Sequence, residues 1–325
     1  MASQPPSSKG HRPGRASLSR LPLPCYARRM DPNPPAFTCR LTGTAAEVRG
    51  GSGAEIFPYW SFTKTVLAVC ALKLVEAGKL RLDTPRAGEA FTLRQLLDHT
   101  AGLPEYCALP AYRDAVAANE EPWPRDHLYA ATMAQGLRFA PGRGWAYSNL
   151  GYMLVRERIE EAAGQPFAAL LAEAITRPLG LQSIALAARR ADFARVHWPE
   201  AQGYHPGWVY HGCLTGTGLD AARLLQALFS GALLSPATLE QMLRRHPLGG
   251  PIEGRPWTDC GYSLGLMNGR AGTAGRALGH SGGGPFCVNA VYHFPEAVPP
   301  VTVASFASGP AEGAAENAAV DHAFA

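Results

Sequence analysis

A serine and a lysine stand three positions apart in Ser61-Phe62-Thr63-Lys64, at the start of a strongly apolar stretch. A serine hydroxyl is a poor nucleophile until a base takes its proton, and this spacing on a helix puts the amine on the same face, one turn further on. Burial among apolar side chains would lower the pKa of Lys64, and a neutral amine can accept that proton. The alternative is that Ser61 caps the helix while Lys64 extends to solvent.

A second polar group, Tyr147-Ser148-Asn149, lies between a Pro-Gly pair at 141–142 and a predicted helix. A turn there can direct a phenol and an amide into a cleft. A tyrosinate beside an ammonium can share the work of a base, and the Asn149 amide can hydrogen-bond both Lys64 and a substrate amide. By itself, this pattern is also typical of a surface turn.

The third group is Gly279-His280-Ser281-Gly282-Gly283, where a predicted strand runs into glycines. Glycines at a strand edge let a substrate approach the backbone and receive a hydrogen bond from an amide. An ordinary glycine turn is the alternative.

The same residues also match the Gly-x-Ser-x-Gly elbow of an α/β-hydrolase, with Ser281 as the nucleophile. That fold requires an acid and then a histidine well downstream, and only the adjacent pair Asp321-His322 is available after Ser281. No parallel series of strands and helices precedes the motif, which weighs against this alternative.

Ser-x-x-Lys, Tyr-x-Asn and a His-Ser-Gly strand, in this order, resemble the signature of the serine β-lactamase and D-Ala-D-Ala carboxypeptidase superfamily, the penicillin-recognising serine hydrolases. The chain looks most like the class C-like branch, which includes esterases and D-amino-acid peptidases and amidases. Longer stretches carry this resemblance: LLDHTAGL at 96–103, the segment from 141 to 152, and AQGY at 201–204. The similarity spans about residues 37–325.

The resemblance implies an acyl-enzyme on Ser61, with Lys64 and Tyr147 transferring protons and Asn149 positioning the substrate. It also implies an oxyanion hole made by the backbone amides of Ser61 and Gly283. Residues implied to line the substrate side are His280, Ser281, Gly282 and Gly283.

Histidine at position 280 replaces the lysine that is usual in true β-lactamases. We therefore predict a serine hydrolase for a carboxylic ester, an amide or a small peptide. A true β-lactamase and a non-catalytic penicillin-binding module are the alternatives, although such a module would be expected to have lost Ser61, Lys64 or Tyr147. Arg270 or Arg276 could bind a terminal carboxylate, although an exposed salt bridge is the commoner role for either arginine. Trp208, Tyr210 and Trp257 could line an apolar pocket, although aromatic residues in such loops more often serve packing.

Composition and charge give no support for binding of nucleic acid, a metal or a cofactor, or for a membrane span. The net charge of +4 comes from the tail, because residues 1–40 carry seven Lys/Arg against one acid and the rest carry 23 against 25. That tail lacks interleaved aromatics, so no nucleic-acid partner is predicted. Seven scattered cysteines and ten histidines show no ligand spacing, so neither a metal nor a cofactor is expected. No membrane span and no convincing export signal is present, which favours the cytoplasm.

The elements that must position these groups form two kinds of segment. Strands are predicted at 37–41, 46–49, 55–59, 262–267, 276–280, 287–294 and 301–306. An apolar helix is predicted at 61–77, further helices occupy most of 92–245, and a last helix spans 311–324. The fold class is thus α+β, an antiparallel sheet flanked by helices with a large all-helical subdomain inserted.

We divide the chain into a disordered basic tail (1–35) and one β-lactamase-like catalytic domain (36–325). The sheet subdomain of that domain comprises about 36–90 and 255–325. The helical subdomain spans about 91–254.

Overall fold

The computed structural model describes residues 35–325. The predicted tail, residues 1–35, lies outside the described residues except for its last position. One large antiparallel sheet dominates one side of the molecule. Its strands are β1 (Ala36–Thr42), β2 (Ala45–Arg49), β6 (His246–Gly249), β7 (Trp257–Tyr262), β8 (Met267–Ala271), β9 (Arg276–Gly283), β10 (Cys287–Phe294) and β11 (Val301–Ser308).

These eight strands are arranged in the order β2-β1-β11-β10-β9-β8-β7-β6. Strands from the two ends of the chain are therefore neighbours, because β1 pairs with β11 from Ala36↔Ala307 to Thr42↔Val301. The predicted fold class is confirmed by this sheet and by its structural relatives, described below.

Nine α-helices lie within residues 35–325. They are α1 (Phe62–Glu76), α2 (Leu93–Leu97), α3 (Pro110–Ala117), α4 (Arg125–Met133), α5 (Asn149–Ala163), α6 (Phe167–Leu171), α7 (Gly218–Phe229), α8 (Pro236–Met242) and α9 (Glu312–Ala323). Helix α9 packs on one face of the sheet, and α1 and α7 pack on the other. No helix in the described part of the chain combines the length and apolar character needed to cross a membrane.

Helix α1 lies at the centre of the main core. Apolar residues occur all around it, so it has no face suited to water, and nearly every side chain from Phe62 to Leu74 is buried. It packs between α5 and the strand β9. A helix enclosed in this way fixes the position of whatever side chains stand at its first turn.

A second, smaller sheet lies among the helices. It consists of β3 (Phe57–Pro58), β5 (Cys213–Gly216) and β4 (Ala185–Ala187), in the order β3-β5-β4. The segment 91–254 is therefore mainly helical but also contains β4 and β5 of this sheet and the edge strand β6 of the large sheet. Pairing of Phe57 with Gly216 and of Pro58 with Thr215 ties the chain just before α1 to the end of β5.

One predicted strand is wrong in place. Residues 262–267 form the connection between β7 and β8, with Gly265 at φ 76°. The apolar side chains Leu264 and Leu266 that suggested a strand are buried in the helical core instead. Their backbone is tied to helices, since Leu264 N donates to Met242 O at 3.1 Å.

Candidate active site

Ser61 is the residue just before α1. It follows Trp60, whose φ of 41° is strained for a bulky side chain. Its hydroxyl caps no helix amide. Instead, Oγ lies 3.1 Å from Nζ of Lys64 and accepts a hydrogen bond from the Tyr147 hydroxyl at 2.9 Å. The structure thus places Ser61 between the two groups predicted to handle its proton, and not in the role of a cap.

Lys64 lies in the first turn of α1 with none of its surface exposed. Burial lowers its pKa to about 7, although the nearby Glu105 carboxylate acts in the opposite direction. Its Nζ donates to Oδ1 of Asn149 at 2.6 Å. At neutral pH a large share of Lys64 is therefore a neutral amine, which is the form that can take a proton from Ser61.

Tyr147 supplies a proton donor. Burial raises its pKa above the ordinary range, and the neighbouring Tyr262 acts in the same direction. The phenol therefore keeps its proton and donates to Ser61 Oγ. The free protein thus pairs a protonated tyrosine with a lysine that is neutral in a large share of molecules at pH 7, as predicted for Lys64. The raised Tyr147 pKa disfavours the other arrangement considered, a tyrosinate beside an ammonium.

The turn that carries Tyr147 and Asn149 is held by side chains from another segment. The Ser148 amide donates to Nδ1 of His99 at 3.2 Å, and the Asn149 amide donates to Oε2 of Glu105 at 2.6 Å. His99 itself has a φ of 64°. His99 and Glu105 therefore position the turn without touching Ser61 Oγ.

Strand β9 extends beyond its neighbour β8. The last β8 partner is Met267, opposite Gly279, so residues 280–283 have one edge without a strand. On the other edge, Gly284 N donates to Cys287 O at 3.0 Å, and alternation along the strand turns the Gly283 amide toward the open edge. Gly283 is also exposed. Its N–H is available to a substrate oxygen.

Gly282 explains why β9 can approach Ser61. A Cβ on this residue would lie 2.6 Å from the Ser61 nitrogen and 2.8 Å from Cβ of Trp60. No larger residue fits there without movement of the backbone. The close approach brings the Ser61 amide next to the strand that carries the Gly283 amide, the second donor implied for the oxyanion hole.

His280 is a neutral residue in the cleft wall. It is buried, its Nε2 lies 2.8 Å from the Tyr262 hydroxyl, and its Nδ1 contacts the carbonyl oxygen of Ser281. Burial and the nearby Lys64 lower its pKa to about 3. Above about pH 4 it therefore carries no charge, whereas a lysine in its place would be a cation.

The Ser281 side chain points to the opposite face of the sheet. Its hydroxyl accepts a hydrogen bond from Nη2 of Arg255 at 2.8 Å and donates to Sδ of Met267 at 3.1 Å. Only its backbone can face the cleft. Ser281 also lies inside an antiparallel strand and not at a turn from strand to helix, so the α/β-hydrolase alternative is wrong.

A buried ion-pair group, the Arg255 cluster, lies behind β9. Arg255 binds Glu316 through two hydrogen bonds of 2.6 and 2.5 Å and binds Glu312 at 2.6 Å. Trp257 Nε1 and the Tyr292 hydroxyl both donate to Glu316 at 2.9 Å. Sequence reasoning missed this cluster because no motif accompanies Arg255.

His211 is a second residue that the sequence did not reveal. It lies in the turn before β5, it is buried, and its Nε2 is 3.3 Å from Nζ of Lys64. A single histidine between Tyr210 and Gly212 gives no local signal of a site. Only the pairing of β5 with β3, which leads into α1, brings it to Lys64.

The arginines suggested for a substrate carboxylate are not at Ser61. Arg270 forms an exposed ion pair with Glu296 at 3.1 Å, and Arg276 lies opposite Arg270 at the far end of β9. Four residues of strand, about 13 Å, separate Arg276 from His280.

The three aromatic residues do not form one wall. Trp257 belongs to the Arg255 cluster, whereas Trp208 packs on Tyr112 in the other core with its hydrogen-bonded indole. Tyr210 donates to the Trp123 carbonyl oxygen at 2.8 Å.

The geometry agrees with comparisons to known proteins. The Beta-lactamase family profile matches residues 43–324. The chain belongs to the Beta-lactamase family. The superfamily predicted from the motifs is thereby confirmed. Proteins similar to this chain include an esterase, D-aminopeptidases and D-amino acid amidases.

Two curated relatives show the range of this family. Penicillin-binding protein 4* of Bacillus subtilis is 26% identical over 270 residues, which are 71% of this chain and 56% of the relative. Esterase EstB of Burkholderia gladioli is 26% identical over 264 residues, 66% of this chain and 67% of the relative. The chain thus spans only about half the length of the first of these proteins.

Solved structures show the same fold. The D-stereospecific amidohydrolase from Streptomyces superposes with a TM-score of 0.76 at 24% identity, over 90% of this chain and 93% of the other. The D-amino acid amidase from Ochrobactrum anthropi gives a TM-score of 0.73 at 21% identity, over 89% and 93%. Identities this low establish the architecture and leave the substrate to the site itself.

Proposed function

We propose that the chain hydrolyses esters, amides or small peptides through an acyl-enzyme on Ser61. The observation that carries the proposal is the Ser61 hydroxyl held between a buried lysine and a protonated tyrosine. Neutral Lys64 takes the hydroxyl proton as Oγ forms a bond to the carbonyl carbon. The amides of Ser61 and Gly283 stabilise the negative oxygen that results.

Collapse of the tetrahedral intermediate breaks the bond to the leaving group. The leaving oxygen or nitrogen receives a proton from Tyr147, which is replenished by the Lys64 ammonium. Water then attacks the ester on Ser61, losing its proton to the same groups, and the acid product leaves with Ser61 restored. No cofactor is needed at any step.

We further propose that preferred substrates lack a carboxylate at the recognised end. His280 is neutral, Arg270 pairs with Glu296, and Arg255 is occupied by two carboxylates. A substrate carboxylate would therefore lose its hydration shell without contacting a cation, and this desolvation would weaken binding. This reasoning favours an esterase or amidase over a β-lactamase or a carboxypeptidase.

The charge near Gly283 supports the same preference. Glu312, at the first turn of α9, has Oε1 3.6 Å from where a Cβ on Gly283 would lie. With both carboxyl groups ionised, the Arg255 cluster carries one positive and two negative charges and is net negative, although burial raises the pKa of Glu312. That field repels an anionic acyl group and favours a neutral one or one that bears an amino group, as in the substrates named for the D-amino acid amidase.

The nucleophile can be tested with a fluorophosphonate, a labelled penicillin and a p-nitrophenyl ester, mapping each adduct by mass spectrometry. We expect a phosphonyl adduct on Ser61 and ester turnover that is lost in Ser61→Ala. An adduct on another serine, with ester turnover intact in Ser61→Ala, would disprove the acyl-enzyme proposal.

The charge preference can be tested with p-nitroanilides of D-alanine, N-acetyl-D-alanine and N-succinyl-D-alanine. These share a leaving group and present a cationic, a neutral and an anionic acyl end. We expect kcat/KM to be lowest for the succinyl compound. Glu312→Gln preserves the shape of the side chain but removes its charge. In this variant, kcat/KM for the D-alanine compound should fall relative to kcat/KM for the acetyl compound. If kcat/KM for the succinyl compound equals that of the other two compounds, the proposed preference is refuted.

A further inference from the structure

His211 is a buried histidine at the base of the site, and its surroundings are unusual. Its side chain is 2% exposed, Nε2 lies 3.3 Å from Nζ of Lys64, and Nδ1 has no hydrogen-bond partner among residues 35–325. Burial lowers the pKa of the ring, whereas the Trp60 backbone acts in the opposite direction, as a hydrogen-bond acceptor would. No hydrogen bond of normal geometry forms at Nδ1. A buried polar group with so little compensation costs stability, so its retention calls for a reason.

The hydrogen-bonding capacity of the Lys64 amine supplies that reason. A neutral amine has two N–H donors and one lone pair, and three polar atoms surround Nζ: Oδ1 of Asn149 at 2.6 Å, Oγ of Ser61 at 3.1 Å and Nε2 of His211 at 3.3 Å. The Asn149 oxygen can only accept. If His211 also accepts, both N–H bonds are used, and the lone pair is left facing the Ser61 hydroxyl.

We propose that His211, with its proton on Nδ1, is a positioning residue that accepts a hydrogen bond from Lys64 and so directs the lysine lone pair at Ser61. The opposite tautomer would donate into that lone pair and disable the base. The proposal rests on the proposed acylation of Ser61 by proton transfer to Lys64. It goes beyond the serine, lysine and tyrosine that the family motifs identify.

The electrostatic surroundings keep the ring neutral. Burial lowers the pKa of His211 well below its ordinary value, and the nearby cations act in the same direction. Titratable groups that act on Lys64 are Glu105, Cys107, Cys213 and Glu312. Other titratable groups near one of the two residues are His99, His280, Arg156, Tyr147 and Tyr152.

Two substitutions separate the acceptor role from simple filling of space. His211→Leu removes the acceptor, so the ammonium form of Lys64 loses a hydrogen bond and its pKa falls further. His211→Gln keeps an oxygen that can accept and should restore much of the loss. His293→Leu is the matched control, because it removes a half-buried histidine on β10 that bonds Thr302 at 2.9 Å, away from Ser61.

The first measurement does not depend on activity. The chain has only four lysines, at 9, 64, 73 and 79, so NMR of protein labelled with 13C at lysine Cε gives a small set of resonances. Lys64 is assigned by its loss in Lys64→Met. We expect a wild-type midpoint near 7, a lower midpoint in His211→Leu, and near wild-type values in His211→Gln and His293→Leu.

The second measurement is the second-order rate of fluorophosphonate labelling between pH 5 and 9. We expect the high-pH plateau of His211→Leu to fall roughly tenfold or more, with partial recovery in His211→Gln. If the Lys64 midpoint is the same in His211→Leu as in the wild type, the positioning role is refuted whatever the rate. If the midpoint moves as expected but Ser61 is never labelled, the positioning role stands and the acyl-enzyme proposal fails.

Discussion

Two polar clusters lie on opposite faces of β9, and each contains one fully buried ionisable residue, Lys64 in one and Glu316 in the other. On the face of α1, Ser61, Lys64 and Tyr147 form a group in which no carboxylate contacts the lysine. On the face of α9, Arg255 contacts two carboxylates directly. The strand that separates them contributes to both, through His280 on one side and Ser281 on the other.

Burial has opposite consequences in the two clusters. In the first it is not balanced by a contacting charge, so Lys64 and His280 shift toward their neutral forms. In the second, burial acts against the Arg255 guanidinium, but the contacting Glu312 and Glu316 outweigh it and raise the Arg255 pKa well above its ordinary value. Trp257 and Tyr292 donate to Glu316, whereas burial raises the pKa of Glu312 despite its contact with Arg255. A buried polar group is therefore reactive here where its charge is left unpaired, and structural where it is paired.

The largest expected effect comes from breaking the reactive cluster. Ser61→Ala removes the nucleophile, so we expect ester hydrolysis to fall by at least about a thousandfold. The free energy of unfolding should change little, because the hydroxyl caps no helix. Steady-state kinetics with a p-nitrophenyl ester and urea unfolding check both parts. Activity within tenfold of the wild type would place the chemistry elsewhere.

The next largest effect comes from breaking the paired cluster. Arg255→Met leaves Glu316, which is 0% exposed, without its cation, and losses of this kind cost about 3–5 kcal/mol. We expect urea unfolding to show this loss. The double variant Arg255→Met/Glu316→Leu should recover part of it, because Glu316 is then no longer a buried charge, while Glu312 still lacks its cation. A single variant as stable as the double one would show that the pairing contributes little.

Lys64→Met should make the protein more stable, in contrast to Arg255→Met. The folded protein holds the Lys64 pKa near 7 against an ordinary value of 10.5. The unfolded chain thus binds more protons between these pH values, so wild-type stability from this group rises with pH across that window. The penalty is complete below about pH 7, where we expect the variant to gain about 1–2 kcal/mol.

Urea unfolding of the wild type and Lys64→Met at pH 6, 8 and 10 checks the sign. The advantage of the variant should be largest at pH 6 and should shrink toward pH 10. An advantage that is constant across this range would mean that packing, and not the charge of Lys64, determines the difference.

The residues that sequence could reveal are those whose partners are close along the chain. Ser61 and Lys64 are one helical turn apart, and Tyr147 and Asn149 share one turn, so short spacing alone brings each pair together. The α+β class followed from strands at both ends and helices between them. These conclusions needed only local periodicity and the order of the motifs.

The residues that sequence missed depend on long-range pairing. His211 is 147 positions from Lys64, and their contact exists only because β5 pairs with β3. Arg255, in the loop before β7, reaches Ser281 on β9, whereas Arg270 and Arg276 were considered because they lie near His280 in the chain. Leu264 and Leu266 suggested a strand because they are apolar, but their packing against helices is a tertiary effect.

The smallest expected effect comes from breaking an exposed ion pair, Arg270–Glu296, which contrasts with the Arg255 cluster. Arg270 and Glu296 are joined at 3.1 Å, with side chains 55% and 47% exposed. Solvent and salt screen such a pair, so Arg270→Ala should leave the free energy of unfolding almost unchanged. Hydrolysis of all three p-nitroanilides should stay unchanged, because Arg270 lies far from Ser61. If Arg270→Ala lowers hydrolysis of the succinyl compound alone, Arg270 contacts a bound carboxylate. That result would contradict the proposed charge preference.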